Sequence, residues 1–423
     1  MPEAPLRTTT ARGTEILVEP LSHVRSCSVG FWVRRGSCHE GSTEEGLAHF
    51  IEHTVFKGTE RYPDPETLSA ATDALGGHLD AFTGKETACF YGKVLREQLP
   101  DLLDLLGELV TAPRFEAEEL GRERSVILEE IAQSEDQPDD WASELFYLNF
   151  WKGGALAHPI LGRPEQVAAY GPAEARAFFH KTYRAPNLLV AAAGDLDPAA
   201  FLDLLNPILD KLPEGAWNEA PRPSRPSPFL LNVPRKDLQQ VSLVMGFPAC
   251  SHQAEDRVAT HLLAQILGGG MSSRLFMELR EKRALCYQVG SYPTHYADTG
   301  ALQIAAGCSA DKAREFVQRT VAECLRLARQ GARPEELERA RLQARTSLVF
   351  GQESSSARMF GLAHQAIHMD RVRDLDAQLA ELEAVDLDQL NAVAARVLNP
   401  EGFAVSALGT RKGRDIRPED LVG

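Results

Sequence analysis

The strongest constraint on the fold is an order of predicted elements that occurs twice, on either side of a proline-rich interruption. In the first half, a strand within VRSCSVGFWVRRGS precedes the helix TEEGLAHFIEHTVFKG, and in the second half QVSLVMGFPACS precedes EDRVATHLLAQILGGG. Each half continues with another strand and a long amphipathic helix, and it closes on an apolar strand, NLLVAAAGDLD or EGFAVSALGT. This recurrence, at a period of roughly two hundred residues, predicts two homologous α+β domains and excludes a solenoid of short repeats.

The proline-rich interruption gives the expected domain boundaries. It runs from Pro213 to Pro234, and proline at this density cannot continue a helix or a central strand. We therefore expect an N-terminal α+β domain at 1–215, a stiff exposed linker at 216–235 and a C-terminal α+β domain at 236–423. The second half has no counterpart of the segment HFIEH, so only the N-terminal domain is expected to bind a metal ion.

Composition excludes several classes of partner. The 423 residues carry a formal net charge of −15 without basic blocks, which argues against a nucleic-acid partner. No apolar run approaches the ~20 residues that span a bilayer, and the N-terminal sequence resembles no secretory signal, so no membrane partner is expected. The seven cysteines include no CxxC pair, which is typical of free thiols in a reducing compartment, and we expect a cytoplasmic protein.

The segment from Ser42 to Gly58 predicts a helix with two chemically different faces. Ser42 and Glu45 have the spacing of a capping box, and Gly58 is a usual C-terminal stop. At about 100° per residue, one face carries Leu47, Phe50, Ile51, Thr54 and Val55. The opposite face carries His49, Glu52, His53 and Phe56.

The two histidines, four residues apart, lie one turn above each other and can hold one ion from the same side. Zn²⁺ accepts two imidazoles and a carboxylate and leaves a position for water, and Glu52 is placed to take a proton from that water. Mn²⁺ or Co²⁺ could use the same ligands. The alternative is that these residues form only a solvated helix face.

A third ligand is expected from the helix within EAEELGRERSVILEEIAQSED. Glu123 and Glu130 fall inside its apolar stripe, whereas Glu129 points away. A buried carboxylate is costly without a cation, so Glu130 is the predicted third ligand and Glu123 is predicted to orient a histidine ligand. A surface helix with a partly buried stripe is the alternative. The apolar members of the stripe are Leu120, Val126, Ile127 and Ile131.

These segments together resemble one peptidase family. HFIEH has the HxxEH arrangement of inverzincin peptidases, and 76 residues separate His53 from Glu130. With GGHLDAFTGKETACFYGKVL, ERSVILEEIAQSEDQPDD, HPILGRPE and ILGGGMSSRLFMELREKRALCYQVGSY, the chain resembles the pitrilysin family (M16) from Thr14 to Gly409. It is most similar to the short, single-unit branch of mitochondrial processing peptidase and its bacterial relatives. The resemblance implies two homologous domains, each a mainly antiparallel sheet covered by helices.

The resemblance also implies roles for residues that the pattern alone does not single out. It matches His49, His53 and Glu130 to zinc ligands, and Glu52 to the general base. Glu123 matches the supporting glutamate. Arg280 and Tyr287 match a pair that contacts substrate near the scissile bond.

An edge strand that receives extended substrate is implied for the segment from His78 to Lys85, by main-chain hydrogen bonding. The family's frequent asparagine is Asp80 here, which is expected to disfavour acidic peptides. The residues expected to contact substrate are His78, Leu79, Asp80, Ala81, Phe82 and Thr83.

The function that the resemblance implies is a zinc-dependent endopeptidase acting on extended peptides or unfolded polypeptides, and a homodimer is expected. The family also includes non-catalytic subunits and chains that need a different partner, so a non-catalytic or obligate-partner subunit of a heterodimer stays open. A metal hydrolase of non-peptide amides is a further alternative.

Overall fold

The computed structural model describes residues 5–215, 220–411 and 415–421. The strands of this part of the chain are β1 (Leu6–Thr9), β2 (Glu15–Pro20), β3 (Ser26–Val33), β4 (His78–Thr83), β5 (Ala88–Leu95), β6 (Leu188–Gly194), β7 (Leu230–Pro234), β8 (Gln240–Ala249), β9 (Cys286–His295), β10 (Gly300–Ser309) and β11 (Ala404–Thr410). Its α-helices are α1 (Leu47–Thr54), α2 (Pro65–Ala74), α3 (Leu99–Thr111), α4 (Ala117–Asp136), α5 (Pro138–Phe150), α6 (Pro164–Val167), α7 (Pro172–Thr182), α8 (Pro198–Leu209), α9 (Arg257–Gly268), α10 (Ala313–Gln330), α11 (Pro334–Gly351), α12 (Ser355–Met369), α13 (Leu375–Ala384) and α14 (Leu387–Val397).

The first of two compact units contains a six-stranded sheet in the order β1-β2-β6-β3-β5-β4. Only the β2–β6 pair is parallel; the remaining pairs of this sheet are antiparallel. Helices cover the sheet, and α1 contacts β4 at one of its edges. This unit contains every residue of the predicted metal site.

The second unit contains a five-stranded sheet in the order β7-β11-β8-β10-β9. Its β7–β11 pair is parallel, and its other pairs are antiparallel. Strand for strand, this order repeats β2-β6-β3-β5-β4 of the first sheet. The predicted fold class, two homologous α+β domains with mainly antiparallel sheets, is therefore confirmed.

Each unit is assembled from separated stretches of the chain. The first comprises residues 1–132, 158–222 and 350–372, and the second comprises 133–157, 223–349 and 373–423. The expected boundaries at 1–215, 216–235 and 236–423 follow chain order and assign α5 and α12 differently. The physical reason is that α12 packs on β3 and β6 of the first unit, whereas α5 packs on β8 and β11 of the second.

The strand β6 shows why the first unit needs α12. All seven of its residues are buried, and their side chains alternate between the two faces of the sheet. Leu188, Val190 and Ala192 face the larger core. Leu189 and Ala191 face a second cluster, to which α12 contributes Met359, Leu362, Ala363 and Ala366. A strand that is apolar on both faces requires a cover on each, and α12 is the cover on one of them.

The proline-rich stretch differs in part from the expected linker. Residues 216–219 of that linker lie outside the described part of the chain. Residues 220–229 form neither helix nor strand, but Leu230–Pro234 forms β7 and pairs with β11. Because β7 is at the edge of its sheet, Pro234 removes no hydrogen bond from a central ladder.

The described residues include no helix that is both long and apolar enough to cross a bilayer. All seven cysteines are free thiols. Five of them are buried (Cys27, Cys38, Cys89, Cys308 and Cys324), whereas Cys250 and Cys286 are partly exposed.

Candidate metal centre

The helix α1 begins later than the sequence predicts. Its N-cap is Gly46, with φ of 92°, so Ser42 and Glu45 do not form the expected capping box. The buried carboxylate of Glu40 instead accepts hydrogen bonds from the backbone N–H groups of Gly46 (2.8 Å) and Ala48 (2.7 Å). Burial raises the pKa of Glu40 to about 8, against the opposing effect of these two donors.

The two faces of α1 carry the residues that the sequence predicts for them. The apolar face is buried at 0 to 3% exposure and consists of Leu47, Phe50, Ile51, Thr54 and Val55. The opposite face carries His49, Glu52 and His53, whose potential ligand atoms lie within 4.8 Å of one another. The imidazole rings of the two histidines have centroids 4.5 Å apart and planes at 60°. One turn of helix therefore presents both rings to the same point.

The helix α4 supplies the two carboxylates predicted from its stripe. Leu120, Glu123, Ile127 and Ile131 are its buried residues, Glu130 is 39% exposed in its side chain, and Glu129 is exposed.

Val126 was placed in the same stripe, but it is 51% exposed, so that assignment was wrong. At about 100° per residue, Val126 lies about a third of a turn from the line through Ile127 and Ile131.

Three potential ligand atoms converge between α1 and α4. The Oε2 of Glu130 lies 3.5 Å from Nε2 of His53 and 3.8 Å from Nε2 of His49. Two atoms that share a tetrahedral zinc ion at about 2.0–2.1 Å are about 3.3–3.4 Å apart. These separations are too long for good hydrogen bonds, and they are close to the spacing of ligands around one ion. The residues present therefore fit a zinc ion.

Glu123 fixes which nitrogen of His53 faces this point. Its Oε1 is 2.8 Å from Nδ1 of His53, and its Oε2 is 2.8 Å from Nζ of Lys57. A proton on Nδ1, donated to the carboxylate, leaves the lone pair of Nε2 available to a metal. Burial raises the pKa of Glu123, but the hydrogen bonds from His53 and Lys57 outweigh it, and the net pKa is lowered.

His49 and His53 differ in their electrostatic surroundings. Burial, followed by the neighbouring His53, lowers the pKa of His49 to about 3, so this imidazole is neutral at physiological pH. Burial also acts to lower the pKa of His53, but the hydrogen bond to Glu123 and the nearby carboxylates of Glu52 and Glu130 raise it overall. His49 thus offers a neutral ligand, and His53 one made more basic by its carboxylate partner.

Glu52 stands beside the two histidines with one hydrogen-bond donor of its own. The hydroxyl of Thr83 donates to Oε2 of Glu52 over 2.5 Å. Burial raises the pKa of Glu52, and the hydrogen bond from Thr83 opposes this shift. A carboxylate with a raised pKa is a better proton acceptor than an exposed one, which suits a general base.

Two of these contacts were not anticipated from the sequence. The sequence pattern places Thr83 only in the substrate strand, and it gives Lys57 no role in the metal site. The contact of Lys57 could have been predicted from its spacing, because Lys57 lies four residues after His53 and therefore on the same face of the helical segment. No local signal links Thr83 to Glu52, since 31 residues separate them.

The segment predicted to receive substrate is β4, which lies at an edge of the first sheet and pairs with β5 on one side. Its side chains alternate between exposed and half-buried. Asp80 accepts a hydrogen bond from the hydroxyl of Tyr91 (3.2 Å), and its Oδ2 lies 3.6 Å from Nε2 of His78. An edge strand has unpaired backbone groups, so β4 could take an additional strand.

Arg280 and Tyr287 lie in the second unit, where they contact each other. Arg280 lies in the π-helical turn Phe276–Glu281, and Tyr287 is in β9. The guanidinium carbon of Arg280 is 4.9 Å from the ring centroid of Tyr287 and 4.6 Å from that of Phe276. Tyr287 is 78% exposed, so its hydroxyl is available to a ligand.

Comparison with known proteins identifies the family. Residues 16–164 match "Insulinase (Peptidase family M16)", and residues 171–344 match "Peptidase M16 inactive domain". An uncharacterised zinc protease of Mycobacterium tuberculosis is 35% identical over 99% of this chain and 96% of its own length. An uncharacterised zinc protease of Streptomyces coelicolor is 34% identical over 98% of this chain and 92% of its own length.

A solved structure shares the fold. A peptidase M16 inactive domain from Pseudomonas fluorescens superimposes with a TM-score of 0.91 at 21% identity, over 98% of this chain and 100% of that one. The first family match lies within the expected N-terminal domain and contains the HxxEH segment, whereas the second begins at residue 171, before the expected linker, and continues into the expected C-terminal domain. The chain belongs to peptidase family M16.

Proposed function

We propose that this chain is a zinc-dependent endopeptidase that hydrolyses peptide bonds in extended peptides or unfolded polypeptides. The observation that supports this most directly is the convergence of three ligand atoms beside a buried carboxylate. His49, His53 and Glu130 form the ligand set. Glu52 lies beside the two histidines and is not itself one of the ligands. The names of the zinc protease relatives agree with this assignment.

His49, His53 and Glu130 would hold the metal ion, and Glu123 would orient His53 from behind. A zinc ion held there supplies positive charge that polarises a peptide carbonyl and acidifies a water molecule. The two imidazoles and one carboxylate leave a net positive charge on the site, which suits the binding of a developing oxyanion.

Glu52 is the proposed general base. Its carboxylate takes a proton from the attacking water and then returns it to the leaving amine, so one side chain serves both halves of the reaction. The hydrogen bond from Thr83 holds one carboxylate oxygen in place and leaves the other for proton transfer. Burial favours this role because it raises the proton affinity of the carboxylate.

The strand β4 is the proposed binding surface for the substrate backbone. An extended peptide that pairs with β4 is brought towards Glu52, because Thr83 ends the strand and contacts that residue. Main-chain pairing recognises an extended conformation and tolerates many side chains. A folded protein offers few such segments, so the substrates are expected to be short peptides or unfolded chains.

Arg280 and Tyr287 are proposed to contact the substrate near the scissile bond, as the resemblance to the family implies. A guanidinium and a phenol can both donate to the oxygen of a peptide carbonyl. We further propose that the chain forms a homodimer. We also propose a cytoplasmic location, with which the free thiols and the negative net charge are compatible.

The test is cleavage of a long, internally quenched, unstructured peptide by the purified chain and by three variants. We expect Glu52→Gln to retain bound zinc and to lose activity at least a thousandfold. Glu130→Gln is expected to lose zinc and activity together. Glu129→Gln, which alters the exposed neighbour on the same helix, should match the wild type in both measurements.

Each other outcome has a defined meaning. If the wild type binds zinc but cleaves no peptide, the chain is a subunit that needs a different partner or is non-catalytic. If Glu52→Gln cleaves as fast as the wild type, the proposed base is wrong. Zinc retention by Glu130→Gln at wild-type affinity would exclude Glu130 as the third ligand.

A further inference from the structure

A second pair of histidines with the same spacing lies on α12 of the first unit. His364 and His368 are four residues apart, and their ring centroids are separated by 4.9 Å with planes at 52°. The corresponding values for His49 and His53 are 4.5 Å and 60°. A ring nitrogen of His364 and one of His368 lie within 4.8 Å of each other. This pair therefore has the arrangement of a two-imidazole chelate on one helical turn.

Packing against the sheet fixes the orientation of α12, the helix that carries this pair. Met359, Leu362, Ala363 and Ala366 are buried against β2, β3 and β6. This apolar stripe leaves His364 exposed, and the side chain of His368 is 15% exposed. A chelate on a packed helix is preorganised, because the backbone that separates its two ligands does not move on binding.

A carboxylate from another part of the first unit lies beside one of these two histidines. The Oε2 of Glu86 lies 3.6 Å from Nδ1 of His368, and the Glu86 side chain is 16% exposed. This separation is too long for a good hydrogen bond and near the roughly 3.3–3.4 Å expected of two ligands on one tetrahedral ion. It matches the 3.5 Å between His53 and Glu130.

The turn that carries Glu86 is itself held in place. Between β4 and β5, the backbone N–H groups of Ser37 and Cys38 donate to the carbonyl oxygens of Gly84 (3.1 Å) and Lys85 (2.8 Å). The Nζ of Lys85 also donates to the carbonyl oxygen of His158 over 2.5 Å. The Glu86 carboxylate is thus presented from a fixed backbone.

Charge and ligand type narrow the choice of ion. Two imidazoles and one carboxylate suit Zn²⁺, Ni²⁺ or Cu²⁺, whereas Mg²⁺ and Ca²⁺ prefer oxygen ligands only. The positive charge of Arg34 acts on His368, but Arg34 is itself ion-paired with Glu15.

We propose that His364, His368 and Glu86 form a second site for a divalent transition-metal ion, separate from the site of His49, His53 and Glu130. The role proposed for this second ion is structural. An ion there would join α12 to the turn that follows β4. Because Thr83 at the end of β4 contacts Glu52, the same ion would also steady the strand beside the proposed base.

The experiment measures metal stoichiometry and affinity on the full chain. The apo protein is titrated with Zn²⁺ in competition with a chromogenic chelator, and we expect two ions per chain. His364→Ala should bind one ion, and Glu86→Gln should bind the second ion at least tenfold more weakly. The control His180→Ala, which removes an exposed histidine from α7, should still bind two ions.

The two sites are distinguished by a variant of the first. His53→Ala should lose one ion and keep the other, and Ni²⁺ should raise its melting temperature. Adding His364→Ala to this variant should abolish the Ni²⁺ effect while leaving the melting temperature without metal unchanged. A wild type that binds one ion, or a His364→Ala variant that binds two, would overturn the proposal. Failure of peptide cleavage alone would not affect it.

Discussion

The Nδ1 of His53 lies 2.8 Å from Oε1 of Glu123, and the other oxygen of that carboxylate is 2.8 Å from Nζ of Lys57. The lysine neutralises the charge of this carboxylate, which is only 8% exposed, and the histidine adds a hydrogen bond to it. Because both oxygens are occupied, the carboxylate cannot rotate away, and the ring of His53 keeps one orientation.

This relationship predicts the effect of Glu123→Gln on metal affinity. The amide can still accept from Nδ1, but it carries no charge to make His53 more basic. Loss of such a supporting carboxylate typically weakens metal binding about 10–100-fold. The dissociation constant for Zn²⁺, measured by chelator competition, checks this, with Glu129→Gln as the control on the same helix. Unchanged affinity would mean that the Glu123 contact serves only packing.

A second prediction concerns Thr83. The variant Thr83→Val keeps the shape of the side chain but removes the hydroxyl that donates to Glu52. Without this hydrogen bond the carboxylate of Glu52 is no longer held in one orientation for proton transfer, so kcat should fall roughly 10–100-fold while the zinc content is unchanged. Thr83→Ser restores a hydroxyl and should recover most of the activity. A serine variant as slow as the valine variant would assign the loss to packing.

A third prediction concerns the charge on β4. Asp80 is 53% exposed in its side chain, so its negative charge faces any peptide that pairs with this strand. We expect Asp80→Asn to raise kcat/KM for a peptide rich in glutamate by about two- to fivefold, with little change for its glutamine counterpart. High salt should reduce the difference, because exposed charges are screened. An equal effect on both peptides would contradict the electrostatic explanation.

A fourth prediction concerns Arg280. Lysine cannot replace the planar guanidinium that contacts the rings of Phe276 and Tyr287. Arg280→Lys is expected to lower kcat/KM about tenfold without loss of zinc, as judged by peptide cleavage and metal analysis. Arg283→Lys, a nearby arginine that is ion-paired with Glu278, is the matched control. Equal losses in the two variants would point to local structure and away from substrate contact.

A fifth prediction concerns stability at acid pH. In the second unit, Arg274 and Arg333 hold the buried carboxylate of Glu336. Burial alone would raise its pKa, but the hydrogen bonds from Arg274 and Arg333 prevail and lower it to about 2. An unfolded glutamate titrates at about 4.3, so the stabilisation is complete above that pH and is lost as the pH falls towards about 2.

The measurement for this fifth prediction is urea unfolding at several pH values. Glu336→Gln should be less stable than the wild type near neutral pH, because it removes one of the two carboxylates that are paired with the buried Arg274. The difference between the two proteins should shrink as the pH is lowered from about 4.3 towards about 2. A difference that stays constant with pH would show that Glu336 stabilises by packing alone.

The faces of α1 could be predicted from its sequence because helical periodicity alone determines them. The apolar residues Leu47, Phe50 and Ile51 are buried, and the histidines share the other face, as the spacing indicates. The start of the same helix could not be predicted, since its cap comes from the side chain of Glu40 and not from Ser42. A cap supplied from outside the helix leaves no fixed spacing to recognise.

The role of Thr83 was unpredictable for a similar reason. Its hydroxyl reaches Glu52 only because the end of β4 is placed next to α1, and that proximity arises from tertiary packing. The sequence also did not reveal that α5 belongs to the second unit and α12 to the first. Both are ordinary amphipathic helices, and the strands on which they pack lie far away in the chain. In contrast, the order of strands repeats in the two sheets, and the sequence pattern already contained that repetition.

The position of α12 has a consequence for how the chain is made. On the ribosome, the sheet of the first unit emerges with one face of β6 bare, and its cover follows only after residue 369 has been synthesised. Until then, the nascent polypeptide exposes an apolar surface around Leu189 and Ala191, and such a surface binds chaperones or promotes aggregation. A gene truncated within the proline-rich stretch would therefore encode the proposed metal ligands but not a self-sufficient domain.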